Sequence, residues 1–153
     1  MTSRRSGGCA LALVCDVRIA SKSAKFNLGE INMGIIGGSQ YIAQFAHFGT
    51  ACKMVYSGET IDVETAMRTG IVDEVLEADK VMERCIELAR KIASKSPLAI
   101  KFAKECMNEA QEGLLEDGLK YEEEVLSRLW GTNDAKEAVT AFLEKRNPVF
   151  IEK

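Results

Sequence analysis

Proline occurs twice in these 153 residues, and histidine and tryptophan once each. With only Pro97 and Pro148 to interrupt it, the chain has no proline-rich linker, and no repeat or low-complexity tract divides it. A single histidine, His47, leaves no room for a multi-histidine metal centre. A Ser-His-Asp triad would have to be built on that one ring, and no metal ligand set is expected. The five cysteines contain no C-x-x-C pair, and their number is odd. Each lies in apolar or helical surroundings, and buried free thiols in a reducing compartment are the expectation.

Long apolar runs are missing too. None approaches the roughly 20 residues that a membrane-crossing helix needs. Met1 to Val14 begins with basic residues and turns apolar, but Cys15, Asp16 and Arg18 interrupt it and no small-x-small cleavage pattern follows. We therefore expect a protein with no membrane partner, cytoplasmic or, if an upstream targeting segment has been lost, in the lumen of an organelle. Positive charge is not in excess either: the formal net charge is −3. That balance argues against a nucleic-acid partner and against RNA binding as a side function. Hydrophobic residues at 46% and charged residues at 28% are ordinary for one globular core.

Periodicity divides what remains. Gly7 to Asp16 opens with two glycines and continues in good helix formers, so a buried helix entered through a tight turn is expected. Val17–Ala20 and Ile71–Leu76 read as strands, and Lys25–Leu28 as a further extended segment. Gly34–Ser39 reads as a glycine-rich turn. Helical spacing follows over Tyr41–Phe48 and Gly49–Tyr56, the latter closed by Ser57-Gly58. Ile61-Asp62-Val63-Glu64 begins another helix, with Asp62 as its cap and Gly70 as its stop. From Asp79 onward everything reads as helix. Val81, Cys85, Leu88, Ala89 and Ile92 form a stripe, Ser96-Pro97 opens a second helix, Leu114–Leu129 is a third, and Ala135–Lys145 a fourth capped by Thr132 or Asn133. Two parts are expected: an α/β core over residues 1–78 and a helical subdomain over residues 79–153.

Several residues could carry chemistry. Gly7-Gly8 ahead of a helix suits an oxyanion site, because the N–H groups of the first helical turn point outward unsatisfied; it suits an ordinary turn as well. Glu30 lies between apolar residues and glycines, where a partly buried carboxylate can move protons, though an exposed loop glutamate fits the same pattern. Gly37-Gly38-Ser39 lacks the lysine of a phosphate-binding loop and reads more simply as a turn. Phe142, Lys145 and Arg146 combine an aromatic with cations, which suits a nucleotide base and its phosphates, or simply a solvated helix end.

Four segments in order resemble the enoyl-CoA hydratase/isomerase (crotonase) family. Gly7-Gly8-Cys9-x-Leu-Ala-x-x-Cys15-Asp16 is similar to its G-G-G-C-E-L-A-x-x-C-D segment, and Phe26-x-x-x-Glu30-Ile31-x-x-Gly34 to its F-x-x-P-E-x-x-x-G segment. Gly58-Glu59-x-Ile61, followed by Ala66 and Gly70-Ile71-Val72, resembles the G-x-x-I…A-x-x-x-G-L-V segment. Asp134-x-x-Glu137-Ala138-x-x-Ala141-Phe142-x-Glu144-Lys145-Arg146-x-Pro148-x-Phe150 resembles the terminal-helix signature. The resemblance implies the second half of a spiral of ββα turns followed by a helical trimerisation subdomain, with the amino-terminal portion of the domain lacking. It implies an acyl-CoA thioester as substrate and no separate cofactor. It also implies a homotrimer or hexamer, and an enolate held between two backbone N–H groups.

The same resemblance makes Gly7 the second of those donors and Glu30 an acid/base. Phe142 and Lys145 become CoA contacts, the CoA being held mainly by a neighbouring subunit. Three departures matter. The segment that would supply the first donor lies upstream of the match. Ala10 stands where hydratases carry a glutamate. The Gly34–Gln40 loop stands where the family has P-G-x-G-G-T-Q and has no proline. One remaining carboxylate favours isomerisation of an enoyl-CoA over hydration. A non-catalytic remnant that keeps the assembly surfaces is the alternative.

Overall fold

The structure is a computed structural model that describes residues 3–113 and 115–151. Leu114, the expected start of the third helix, lies outside the described residues, as do Met1 and Thr2. The chain forms two compact units, Met1–Cys85 and Ile86–Lys153, and the division falls inside one helix.

The first unit begins with helix α1, Ser3–Leu13. Gly7 and Gly8 lie inside it, not in a turn ahead of it, because each glycine weakens a helix by only about 1 kcal/mol and Ala10 to Leu13 propagate it. Only one side of α1 is buried. Cys9 and Leu13, four residues apart, are 5% and 1% exposed, whereas Leu11 on the other side is 70% exposed. Strand β1, Ile19–Ser21, follows, then β2, Lys25–Asn27, and a 3-10 turn over Glu30–Met33. Helices α2, Ser39–Phe45, and α3, Phe48–Ser57, lead into β3, Thr60–Asp62, and α4, Val63–Arg68. Strand β4, Glu74–Leu76, closes the unit ahead of α5, Ala78–Ala93.

Two two-stranded sheets result. β1 runs parallel to β4, with Ala20 opposite Val75; β2 runs antiparallel to β3, with Phe26 opposite Ile61. Both strands of the parallel pair are shorter than the sequence suggests. Ile71 and Val72 are buried, but their N–H groups bond the Ala66 carbonyl at the end of α4, so they finish a helix before any strand begins. Strand β3 is the reverse case, extended where a helix start is expected. Asp62 serves both elements. Its backbone is extended and pairs with Lys25, and its side chain accepts the Thr65 N–H at 2.8 Å to cap α4. Leu13, Leu28, Ile42, Met54, Ala66 and Ile71 fill the core of the unit.

The second unit holds the end of α5 with α6, Pro97–Glu112, α7, Leu115–Trp130, and α8, Asn133–Glu144. Ser96 and Thr132 cap α6 and α8 through their hydroxyl oxygens, as their positions in the sequence suggest. The apolar stripe on α5 holds no fully buried residue. Among the described residues, Phe102, Val125 and Ala141 are the buried apolar side chains of this unit, with the Arg128 guanidinium stacked 5.0 Å from the Phe102 ring centre. All five cysteines are free; only Cys9 is buried, and Cys15, contrary to expectation, is exposed.

A candidate active site around Glu30

Strand β2 delivers the chain into the site. After Asn27 and the buried Leu28, Gly29 turns it, and Glu30 opens the 3-10 turn that Gly34 closes in the left-handed conformation at φ 73°. Gly34 is obliged to be small by that φ, and its N–H bonds the carbonyls of Glu30 and Ile31. The Glu30 side chain then lies across Gly37. A Cβ on Gly37 would stand 3.1–3.2 Å from Cγ, Cδ and Oε1 of Glu30. The glycine therefore leaves the space that the carboxylate occupies.

Oε2 of Glu30 is buried and accepts no hydrogen bond from any described residue. A buried carboxylate oxygen without a donor is costly unless something else arrives to use it, and such atoms gather at functional sites. Cys9 of α1 faces the same region. Burial pushes its thiol up, a backbone hydrogen bond with Asn27 opposes that, and the nearby Glu30 carboxylate adds to the rise. At neutral pH the thiol keeps its proton, so it brings no second charge to the site.

Gly37-Gly38-Ser39 does not form a phosphate cradle. Gly38, at φ 69°, turns its α-carbon towards the Leu28 side chain and the Ala10 Cβ, so its smallness serves apolar packing. Ala10 thus sits in the same corner as Glu30, on the helix behind the glycine pair. No carboxylate comes from position 10.

Gly7 lies in the second turn of α1, exposed. In a helix that starts at Ser3, its N–H points back along the axis to the carbonyl four residues earlier. Phe142 and Lys145 belong to the second unit, at the end of α8. Phe142 is 83% exposed, and Lys145 is the one non-glycine described residue with positive φ, at 56°. Arg146, grouped with them on sequence, is instead bound to Glu137 and Glu144. Among the described residues no group of acidic, histidine or cysteine side chains could hold a metal ion. Among the described residues no helix is long and apolar enough to cross a membrane.

The glutamate was visible in the sequence, but the residues that hold its segment were not. Asn27 is 6% exposed and donates from Nδ2 to the Gly58 carbonyl at 2.7 Å, across 31 positions of chain. No local pattern marks such a bond.

A family model described as enoyl-CoA hydratase/isomerase matches residues 4–153. The 2,3-dehydroadipyl-CoA hydratase of Escherichia coli is 41% identical over 146 residues, which cover 94% of this chain and 57% of that protein. A short-chain-enoyl-CoA hydratase of Clostridium acetobutylicum is 36% identical, over 92% of this chain and 55% of its own length. Among solved structures, an enoyl-CoA hydratase from Bacillus anthracis superposes with a TM-score of 0.90 at 35% identity, covering 95% of this chain and 57% of that one. The chain thus spans little more than half the length of the proteins it matches.

Proposed function

The chain belongs to the enoyl-CoA hydratase/isomerase family, and from that premise we propose that it takes part in enolate-stabilised proton transfer on an enoyl-CoA thioester, with Glu30 as the acid/base. The observation that carries this is the buried Oε2 of Glu30, without a hydrogen-bond partner among the described residues. Glu30 removes a proton from the carbon next to the thioester carbonyl. The electron pair moves into the carbonyl, giving an enolate conjugated with the adjacent double bond. The same carboxyl returns the proton two carbons further along, and the double bond has shifted.

Hydration needs one carboxylate to position and deprotonate water and another to protonate carbon. Ala10 supplies neither, so isomerisation fits this chain better than the hydration named in its relatives. A thioester enolate also needs fixed donors at its oxygen. The family's pattern puts Gly7 among them, at a position that lies inside α1 in this structure.

The remaining parts follow from the family. CoA is the handle of the substrate, and no further cofactor is required. Phe142 offers an exposed ring, and Lys145, three residues on, an exposed cation for the nucleotide end. A homotrimer or hexamer supplies the neighbouring subunit for that contact. Exposed Met107, Trp130, Phe142 and Leu143 in the second unit support such an assembly. The setting is cytoplasmic, with neither nucleic acid nor membrane as partner.

The test is Glu30→Gln assayed on short 2-enoyl- and 3-enoyl-CoA. Turnover should fall by about 10²-fold or more, the usual worth of a positioned acid/base. Undiminished activity in that variant would sink the assignment. Hydration outrunning isomerisation in the unaltered protein would overturn the preference drawn from Ala10.

A further inference from the structure

Glu30 has little to hold it in place. One carboxylate oxygen has no partner, and no side chain caps the 3-10 turn that it opens. The position of the carboxylate is therefore set by the backbone of Gly29 and Glu30. That backbone is bonded by the Asn32 N–H at the Gly29 carbonyl and by the Gly34 N–H at the Glu30 carbonyl, and the Asn27 side chain packs against it.

Asn27 is the last residue of β2, opposite Thr60 of β3. Its Nδ2 reaches past the strand pair to the carbonyl of Gly58, the residue that ends α3 at φ 65°. Its Oδ1 lies only 2.5 Å from where a Cβ on Gly29 would stand. The carboxamide is thus anchored on the turn between α3 and β3 and fills the side-chain space of the residue just ahead of Glu30. Asn32, in the same 3-10 turn as Glu30, covers Gly58 from the other side, in the space where a Cβ there would stand. Two asparagines and two glycines bracket the glutamate before and behind.

We propose that Asn27 is a positioning residue for Glu30, acting only in concert with a glycine at position 29. The inference rests on the reading of Glu30 as the acid/base. It goes further in naming a coupled pair: any side chain at 29 expels the carboxamide, and any loss of the carboxamide frees the turn. A proline, which the family segment carries at that place, is incompatible with Asn27 as it stands.

The experiment is a double-mutant cycle on the full chain with Asn27→Ala, Gly29→Ala and the combination. Each single variant should lower kcat by about tenfold or more, the scale of a small displacement of a catalytic group, with KM changed less than about twofold. The double variant should be no worse than the poorer single, since the second change removes what the first has already lost. Additive losses, or kcat retained in Asn27→Ala, would overturn the proposal. The Glu30 side-chain carboxyl resonance, followed by 13C NMR with Glu30→Gln to assign it, gives a readout independent of turnover. It should move in both single variants, and an unmoved resonance also overturns the proposal. If the unaltered protein shows no turnover, the acid/base reading fails, and the resonance alone decides whether Asn27 places Glu30. Should Asn27→Ala not fold, Gly29→Ala, which keeps the asparagine, carries the same comparison.

Discussion

Arg18 carries a positive charge into the interior of the first unit and is only 8% exposed. Its Nε donates to the Ile71 carbonyl and its Nη1 to the Cys15 carbonyl, both at 2.7 Å. The guanidinium lies 4.3 Å over the Phe45 ring, and Asp73 accepts the backbone N–H of Arg18 at 2.7 Å. This one side chain joins the end of α1, the stretch before β4 and the end of α2. A lysine has one donor centre where these contacts need a planar fork. Arg18→Lys should therefore cost about 2 kcal/mol or more, because at least one buried carbonyl loses its donor. Urea unfolding measures it, and an unchanged midpoint would show that the contacts are replaceable. At this scale the sequence was half legible. Glu30 stands out among apolar residues and glycines. Asn27 and Arg18 look like an ordinary strand-end asparagine and a strand arginine, because their partners lie 31 and 53 positions away.

Caps are the part of element structure that local sequence states best. Asp62, Ser96 and Thr132 each accept the N–H three residues on, because a short side-chain oxygen can reach that donor whatever the rest of the fold does. Strand limits were read less well, since a strand lasts only as long as a partner lies beside it. The end of α8 shows a different control. The Arg146 guanidinium forks onto both oxygens of Glu137, and the Val149 N–H bonds the same carboxylate, so the segment after the helix is folded back along it. The Arg146 hydrogen bonds, then the Val149 N–H, bring Glu137 down from 4.5 to about 2. A carboxylate with a lowered folded-state pKa stabilises the fold above its unfolded value and loses that contribution as pH falls through the folded one. The tether should thus be complete above about pH 5 and be lost by about pH 2. The melting temperature of Glu137→Gln should lie below that of the unaltered chain at pH 7, and the two should converge at pH 2. A difference that persists at pH 2 would mean that the carboxylate's charge is not what holds the segment.

For the whole molecule, the question is whether this length of chain forms a working thioester site. The chain spans 57% of the E. coli relative, its sheets hold two strands each, and Leu11, Val14 and Val17 are 70%, 48% and 47% exposed. A thermal melt with and without a short enoyl-CoA answers it. A ligand that binds only the folded state adds about 2.7 kcal/mol at a hundredfold excess over its Kd, so a cooperative transition should move up by several degrees. A cooperative transition indifferent to ligand would leave a chain that keeps the family's fold but has no site for its substrate, and a broad one a chain that does not pack as a cooperative unit.

The family, the helical character of the second half, the helix caps and the position of the glutamate could all be read from the residue order. Each is written in neighbouring residues, as a spacing of apolar side chains, a capping oxygen or a run of motif positions. Which glycine serves which purpose emerges only once the chain is folded. Gly37 makes room for Glu30 and Gly38 for Leu28, while Gly29 and Gly58 receive the two asparagines. A glycine records in sequence only that a side chain is absent. What fills the vacated space comes from distant parts of the chain, and folding alone brings it there.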